Sequence, residues 1–536
     1  MKNIIKNKLK RIEIKNIFSS RLYLELYPDV QDSGDIPLIH YIMYGRKEGR
    51  STKYQDRTKI VYKEIYTFLK SKDVDISKFK KEKEVEMKQF LKNWINKNFV
   101  IPKIFSAKHY LENNEDVKLS GANPFVHYVL YGVKEGRIGY VDISNKVKKG
   151  NKEFDNNKEN IVFITHESSS TGAPLLGYSI AEKLSQKYNI IHIVLKSKNI
   201  HEMFYNNCCL MLEDVATAEK VASLLFLEDI LKTKKIKAMV INSIVGHNVL
   251  QTANKLNIPV VFLIHEFAEY TRPVGTMVKA VSNSSFIVVP AETIKNSLIK
   301  EFTKLEINHS SYLEKIKTIP QGKLPVLKDN FGKNDDINEL YLKLNITPNQ
   351  NVKIIVGCGW VQMRKGVDLF ISTARYIHNM YEGECRFVWV GGGFNPENDV
   401  DYSVYLEREL EYSNLGDSFI FLEHQKNLDN IFSISDVFCL TSRMDPFPNV
   451  AIDALSHDLH IACFDGASGT AEFLRKYDAN CTIVDFLDTY KLAEGVTNYF
   501  KSNDEKIGFN KRILENHLNF NKYVEQIDEL INDSVK

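Results

Sequence analysis

The sequence predicts an α/β protein with two doubly wound units on parallel sheets, preceded by an all-α unit built on an internal repeat. Three observations predict this. From residue 160 onward, short apolar runs alternate with helix-length amphipathic stretches, the pattern of a parallel sheet covered on both faces. The alternation starts afresh near residue 353, so there are two such sheets. Ahead of them, residues 17–50 and 104–137 match at a constant offset, the mark of a duplication.

Composition sets the outer limits. A chain of 536 residues is too long for one core and suits about three domains. Its 43% hydrophobic and 26% charged content is that of a soluble globular protein. The net charge of +3 creates no overall field for nucleic acid. The excess is local: Lys2, Lys6, Lys8, Lys10, Arg11 and Lys15 crowd the start against Glu13. That stretch suits peripheral contact with an anionic inner membrane face, and it suits a solvated helix face better. Seven cysteines without a CxxC pair read as reduced core residues of a cytoplasmic protein. Neither a signal-peptide core nor an apolar run near 18 residues is present.

In the repeat domain, expected over residues 1–150, each copy reads as a helix, a turn at Gly-x-x-Pro and a second helix closed by Gly. Shared positions include Tyr23/Tyr110, Asp29/Asp116, His40/His127, Tyr41/Tyr128, Gly45/Gly132, Glu48/Glu135 and Arg50/Arg137. Paired His and Tyr invite a ligand reading, but packing and capping of a helical hairpin explain them more simply. Residues 62–98 read as amphipathic helices that join the copies or form a contact with another copy or a partner. Asp73-Val74-Asp75 and Asp399-Val400-Asp401 are D-x-D pairs that read as solvated loops rather than metal ligands. Residues 145–158 read as a polar linker.

The first doubly wound unit, expected over 158–335, has predicted strands at 160–166, 190–195, 238–242 and 260–265. Ligands of such sheets gather at the carboxyl ends of the strands, which puts His166, Gly172, Asn242 and His265 on one edge. Gly172, in Ser-Ser-Ser-Thr-Gly-Ala-Pro, lacks a Cβ and lets the backbone come close to a ligand. His265 reads either as a packed histidine or as a ligand group. The second unit, expected over 336–505, has predicted strands at 354–357, 387–390, 419–422, 437–441 and 460–465. Its first loop, Gly359 to Gly366, carries Arg364 and Lys365. Residues 506–536 are expected to be helices returning to the first unit.

The stretch 436–472 carries the chemistry. It reads as strand, loop, helix entered at Pro446–Asn449, strand and Gly-rich turn. Pro446 and Pro448 have no N–H, whereas Asn449 and Val450 do, so the helix opens with free donors and its dipole behind them. Asp445 on the loop and Asp453 on the helix can converge on one ligand. The stretch therefore offers carboxylates for hydroxyls and amides for phosphate.

Asp445-Pro446-Phe447-Pro448-Asn449-Val450-Ala451-Ile452-Asp453 resembles the E-x7-E signature of retaining GT-B glycosyltransferases of family 4, with both glutamates shortened to aspartate. The loop with Gly172 resembles that family's first loop, His265-Glu266 its donor-facing histidine, Ile319-Pro320-Gln321-Gly322 its exit toward the second sheet, and Lys365-Gly366 its diphosphate loop. The family's early arginine is Trp360 here, and Arg364 can supply that charge. Gly466 to Glu472 resembles the family's Gly-rich loop beside the sugar.

The resemblance covers roughly the last two-thirds of the chain. It implies a GT-B fold, two Rossmann-like domains facing a cleft, and transfer of a sugar from a nucleotide-diphosphate sugar to a hydroxyl of a glycan, lipid-linked or protein acceptor, with retention. It implies Asp445, His265 and Glu472 at the sugar, and Gly172, Asn242, Arg364, Lys365, Asn449, Val450 and Asp453 at the donor, with no metal and no further cofactor. The shortened acids and the missing arginine also suit a non-catalytic GT-B partner or scaffold. A GT-B sugar-nucleotide epimerase is the other alternative.

Overall fold

The computed structural model describes residues 30, 107–121, 124–132, 135–137, 146–215, 227–228, 230–325, 336–425, 427–502 and 508–535. The chain forms two compact units, Met1–Ile143 with Ala218–Leu225, and Ser144–Thr217 with Phe226–Lys536.

In the first unit the second repeat copy has helices Ala107–Glu112, Glu115–Ser120 and Pro124–His127, the last running into a π turn, Tyr128–Gly132. The residues shared between copies bond to one another. Tyr110 Oη lies 3.0 Å from His127 Nδ1, and the Tyr110 ring meets Tyr128 edge-on. A Cβ on Gly132 would stand 2.2 Å from Tyr110 Oη, so that position has no room for a side chain. Arg137 donates to Asp116 at 2.8 Å, to Asn114 at 3.0 Å and to Glu135 at 2.6 Å. These contacts are the packing and capping that the repeat pattern suggested. Apart from Val30, the first copy lies outside the described residues, as do the basic N-terminus, residues 62–98 and the 73–75 D-x-D.

The second unit holds both sheets. The first has eight strands: β1 (Val147–Lys149), β2 (Asn160–Thr165), β3 (Asn189–Val194), β4 (Leu210–Glu213), β5 (Ile236–Asn242), β6 (Val260–Leu263), β7 (Phe286–Val289) and β8 (Ile316–Thr318), in the order β1-β4-β3-β2-β5-β6-β7-β8. The second has six: β9 (Val352–Cys358), β10 (Glu384–Val390), β11 (Phe419–Leu422), β12 (Val437–Leu440), β13 (His460–Phe464) and β14 (Cys481–Val484), in the order β11-β10-β9-β12-β13-β14. All pairings are parallel except that of β1 with β4. Successive strand residues enter opposite cores, as the two-residue period requires. Val162 and Ile164 join one core and Ile161 and Phe163 the other. In the second sheet Ile354 and Val356 lie on one side and Ile355 on the other.

The 145–158 segment is not simply a linker. Val147, Lys148 and Lys149 pair antiparallel with Leu212, Met211 and Leu210, closing the edge of the first sheet. Residues after it are tied by Asn189, whose amide donates to the Asp155 and Lys158 carbonyls.

The helices that bear on the site are α1 (Gly172–Leu184), α2 (Glu292–Lys304), α3 (Val367–Met380), α4 (Asp429–Ser433), α5 (Asn449–Ser456) and α6 (Gly469–Lys476). Two helices end the chain, α7 (Phe509–His517) and α8 (Phe520–Asp533). They part company: Ile513 and Leu514 of α7 pack in the second sheet's core, whereas Phe520, Val524 and Ile527 of α8 pack on the first. The crossing is close, since a Cβ on Gly322 would stand 2.2 Å from Phe520 N. Among the described residues no helix is long and apolar enough to cross a membrane. All seven cysteines are free thiols.

Candidate active site

Register brings the strand ends together. Thr165 pairs with Asn242, and Asn242 with Leu263, so β2, β5 and β6 end in line with His166 and His265 just beyond. Cys358 pairs with Val390, and Val390 with Leu422, so the loops after β9, β10 and β11 leave the second sheet at one edge.

The cationic loop after β9 is held by the loop after β12. Gly366 has φ +69°, and a Cβ there would stand 2.0 Å from the Thr441 carbonyl oxygen. Thr441 Oγ1 donates to the Gly366 carbonyl at 2.8 Å, and the Arg443 N–H to the Arg364 carbonyl at 2.8 Å. Arg443 also forks onto Asp368, at 2.9 and 2.6 Å, and onto the Met363 carbonyl. Held this way, Lys365 Nζ lies 2.5 Å from Asp445 Oδ2. Arg364 lies 3.4 Å from Asp445 Oδ1 and donates to the Met444 carbonyl at 2.9 Å. Burial alone would push the Asp445 carboxyl up. The Lys365 and Arg364 charges, with Ser442 Oγ donating at 3.3 Å, outweigh it and hold the group below the usual carboxylate range.

Pro448 precedes α5, whose first N–H groups, those of Asn449 and Val450, have no acceptor within the helix. Asn449 faces the first sheet: its Nδ2 donates to the Gly172 carbonyl at 3.3 Å, and its Oδ1 accepts from Gln321 Nε2 at 3.3 Å. Gln321 also donates to the Phe447 carbonyl at 2.6 Å. Asp453, one turn further along α5, is half-buried, and its carboxylate accepts no hydrogen bond among the described residues. Burial foremost pushes its carboxyl up to about 6, with Lys323 and His457 opposing.

Across the cleft, Asn242 Nδ2 donates to the Ala173 carbonyl at 2.7 Å, which turns its Oδ1 toward His265 Nε2 at 2.8 Å. That contact assigns the proton to Nε2, and burial pushes the His265 pKa down to about 4, leaving a neutral ring. Glu266 accepts from Ser243 Oγ at 2.5 Å and from the N–H groups of Ile244 and His265. Burial foremost raises both the Glu266 carboxyl and the Tyr270 phenol, with the Arg364 charge opposing. His166 stands near His265, and its Nδ1 is buried without a partner.

Of the residues expected at the site, Arg364, Lys365 and Asp445 form one cluster. Asn449 bridges to Gly172, and Asn242 positions His265. Glu472 is placed differently from the rest. Its carboxylate accepts from the N–H groups of Glu292 and Thr293, at 3.1 and 2.9 Å, and from Thr293 Oγ1 at 3.0 Å, capping α2 across the cleft. Gly469 permits that approach, because a Cβ on it would stand 2.2 Å from Ala291 Cβ. The Asp399 carboxylate is spent on the N–H groups of Asp401, Tyr402 and Ser403. Sequence reasoning missed Tyr270 and the Arg443–Asp368 brace. Only the fold brings these groups beside the loop, although an Arg just after a strand end was a usable signal.

Residues 343–516 match the glycosyl transferases group 1 family. The chain is 27% identical over 131 residues to the alpha-galactosylglucosyldiacylglycerol synthase of Streptococcus pneumoniae, covering 24% of this chain and 33% of that protein. It is 24% identical over 166 residues to an uncharacterized glycosyltransferase of Haemophilus influenzae, covering 30% and 44%. The chain thus spans less than half the length of these curated relatives. The crystal structure of Anabaena HepE in complex with UDP-glucose superposes with a TM-score of 0.56 at 15% identity, over 70% of this chain and 99% of that one. The fold is GT-B: two Rossmann-like domains on parallel sheets.

Proposed function

We propose that the chain is a retaining glycosyltransferase of family 4 type that transfers a sugar from a nucleotide-diphosphate sugar to a hydroxyl acceptor, without a metal. One observation carries the reading. A loop with two cations and the donor-bearing start of a helix stand together on one lip of the cleft, and a neutral histidine held by an amide stands on the other.

The chemistry follows from the charges. Lys365 and Arg364, with the Asn449 and Val450 N–H groups, hold the diphosphate by charge-assisted bonds. Those bonds strengthen as the leaving group gains charge. Asp445 keeps both cations aimed at one point before the donor arrives. Gly172 lets the first lobe's backbone approach the phosphate, Asp453 takes ribose hydroxyls, and His265 and Asp445 orient the sugar. Glu472 acts on the sugar through the closure it secures between the lobes. Departing phosphate oxygen takes the acceptor's proton, so no separate base is assigned. The acceptor is a glycan, lipid-linked or protein hydroxyl, and the protein works in the cytoplasm.

The test is nucleotide release from a panel of UDP-, GDP- and ADP-sugars with and without candidate acceptors. Release that needs both a matched donor and an acceptor, giving a product of unchanged anomeric configuration, is expected. Binding without release would instead mark a non-catalytic partner, and an isomerised donor an epimerase.

A further inference from the structure

We infer that Trp360 is the platform on which the nucleobase of the donor stacks, which makes it a donor-binding residue. This deepens the donor reading above and rests on it. Trp360 is 63% exposed, and a single exposed aromatic needs no explanation by itself. Its setting does. The backbone on both sides is fixed: the Gly359 N–H donates to the Val390 carbonyl and the Val361 N–H to the Gly392 carbonyl, each at 2.9 Å. The buried Trp389 pins the Gly359 carbonyl through its Nε1–H at 2.9 Å. The Trp360 ring rests on a turn without side chains. A Cβ on Gly392 would stand 3.1 Å from it and one on Gly393 2.7 Å, so glycines clear the ring's seat while much of its surface stays open. The stem of Lys365 packs on the other side of the same loop, 3.1 Å from where a Gly359 Cβ would be.

The direction of the ligand selects the occupant. The phosphate site lies where β9 and β12 end, at Lys365 and the start of α5. β9 lies between β10 and β12; Lys365 leaves its loop on the β12 side, where it meets Asp445, and Trp360 on the β10 side, over Gly392 and Gly393, so a base carried on the β10 side of the phosphate meets the ring. Trp360 stands at the ends of β9 and β10, beside Lys365, where the base arrives. A flat apolar ring on a rigid base suits a planar heterocycle, and stacking tolerates more than one base.

The experiment uses the full chain as wild type, W360F, W360A and K365A, with UDP, ADP, GDP and inorganic pyrophosphate as probes. Binding is followed by calorimetry and by intrinsic fluorescence, Trp94 and Trp389 giving a background common to all forms. Nucleoside diphosphate should quench wild-type emission, and that change should vanish in W360F, which retains a ring and binds within a few fold of wild type. W360A should lose roughly tenfold to hundredfold in nucleoside diphosphate affinity and bind pyrophosphate unchanged. Equal nucleoside diphosphate affinity in W360A and wild type overturns the platform and leaves the donor reading standing. So does a W360A defect confined to the KM for acceptor. Wild type that binds neither nucleotide nor pyrophosphate overturns both.

Discussion

At the scale of single residues, the site separates groups that are already paired from groups kept waiting. Lys365 and Asp445 are paired, and Lys365→Ala should weaken nucleoside diphosphate binding by roughly tenfold or more, the loss of one charge-assisted bond. Titration calorimetry checks this, and unchanged affinity would remove Lys365 from the diphosphate. Asp453 is the waiting group. Its folded pKa of about 6 lies above that of an unfolded aspartate, so its ionisation opposes folding once the pH rises through 6. Asp453→Asn should therefore raise the melting temperature at pH 7.5, by an amount of order 2 kcal/mol in stability, while weakening nucleotide binding. Loss of stability on substitution would contradict the burial argument. Asp445, Asp453 and Lys365 can be singled out in the sequence because each sits in a short local pattern. The pairing of Asp445 with both cations cannot, since the loops after β9 and β12 meet only through sheet order.

At the scale of elements, the long buried strands were readable and the short or edge strands were not. β2, β3, β5 and β9 are runs buried on both faces, and their apolar sequences announced them. β1 has a single apolar residue, Val147, and becomes a strand only because Leu210–Glu213 offers it an edge. The ends of the chain show the same limit. Both α7 and α8 are amphipathic, and the expected return of residues 506–536 to the first unit describes α8 but not α7, which packs on the second sheet. The α2–α6 contact is an element-scale device with its own test. Glu472→Ala leaves the first N–H groups of α2 uncapped, which should cost roughly 0.5–2 kcal/mol and lower the melting temperature. If Glu472 works through closure, free nucleoside diphosphate should bind the variant as it binds wild type, while turnover falls. Glu472→Gln, which keeps an acceptor oxygen, should recover part of that turnover. A variant that loses affinity for nucleoside diphosphate itself would instead put this carboxylate on the nucleotide.

At the scale of the whole molecule, the first sheet carries histidines that folding keeps neutral, and this fixes how the protein responds to acid. His192 is fully buried between Phe163 and Phe204, bonded at Nε2 to Thr165 Oγ1, with no partner for Nδ1, and burial pushes its pKa down to about 3. His265 is pushed to about 4, and His166 is lowered by the same cause. Unfolded, each would titrate near 6.5. Between that value and the folded ones, the unfolded chain binds protons that the native chain refuses, so stability rises with pH in this window and falls on acidification. Asp453 acts in the opposite direction below pH 6, but one carboxyl opposes three imidazoles, two of them with larger shifts. The melting temperature should accordingly drop between pH 7 and pH 5, and drop less in His192→Gln. Should that core variant fail to fold, His265→Gln gives the same comparison nearer the surface. A melting temperature that holds or rises on going to pH 5 would mean that these rings are already charged in the folded protein. His265 would then face the donor as a cation, and its assignment as a neutral group held by Asn242 would fail with it.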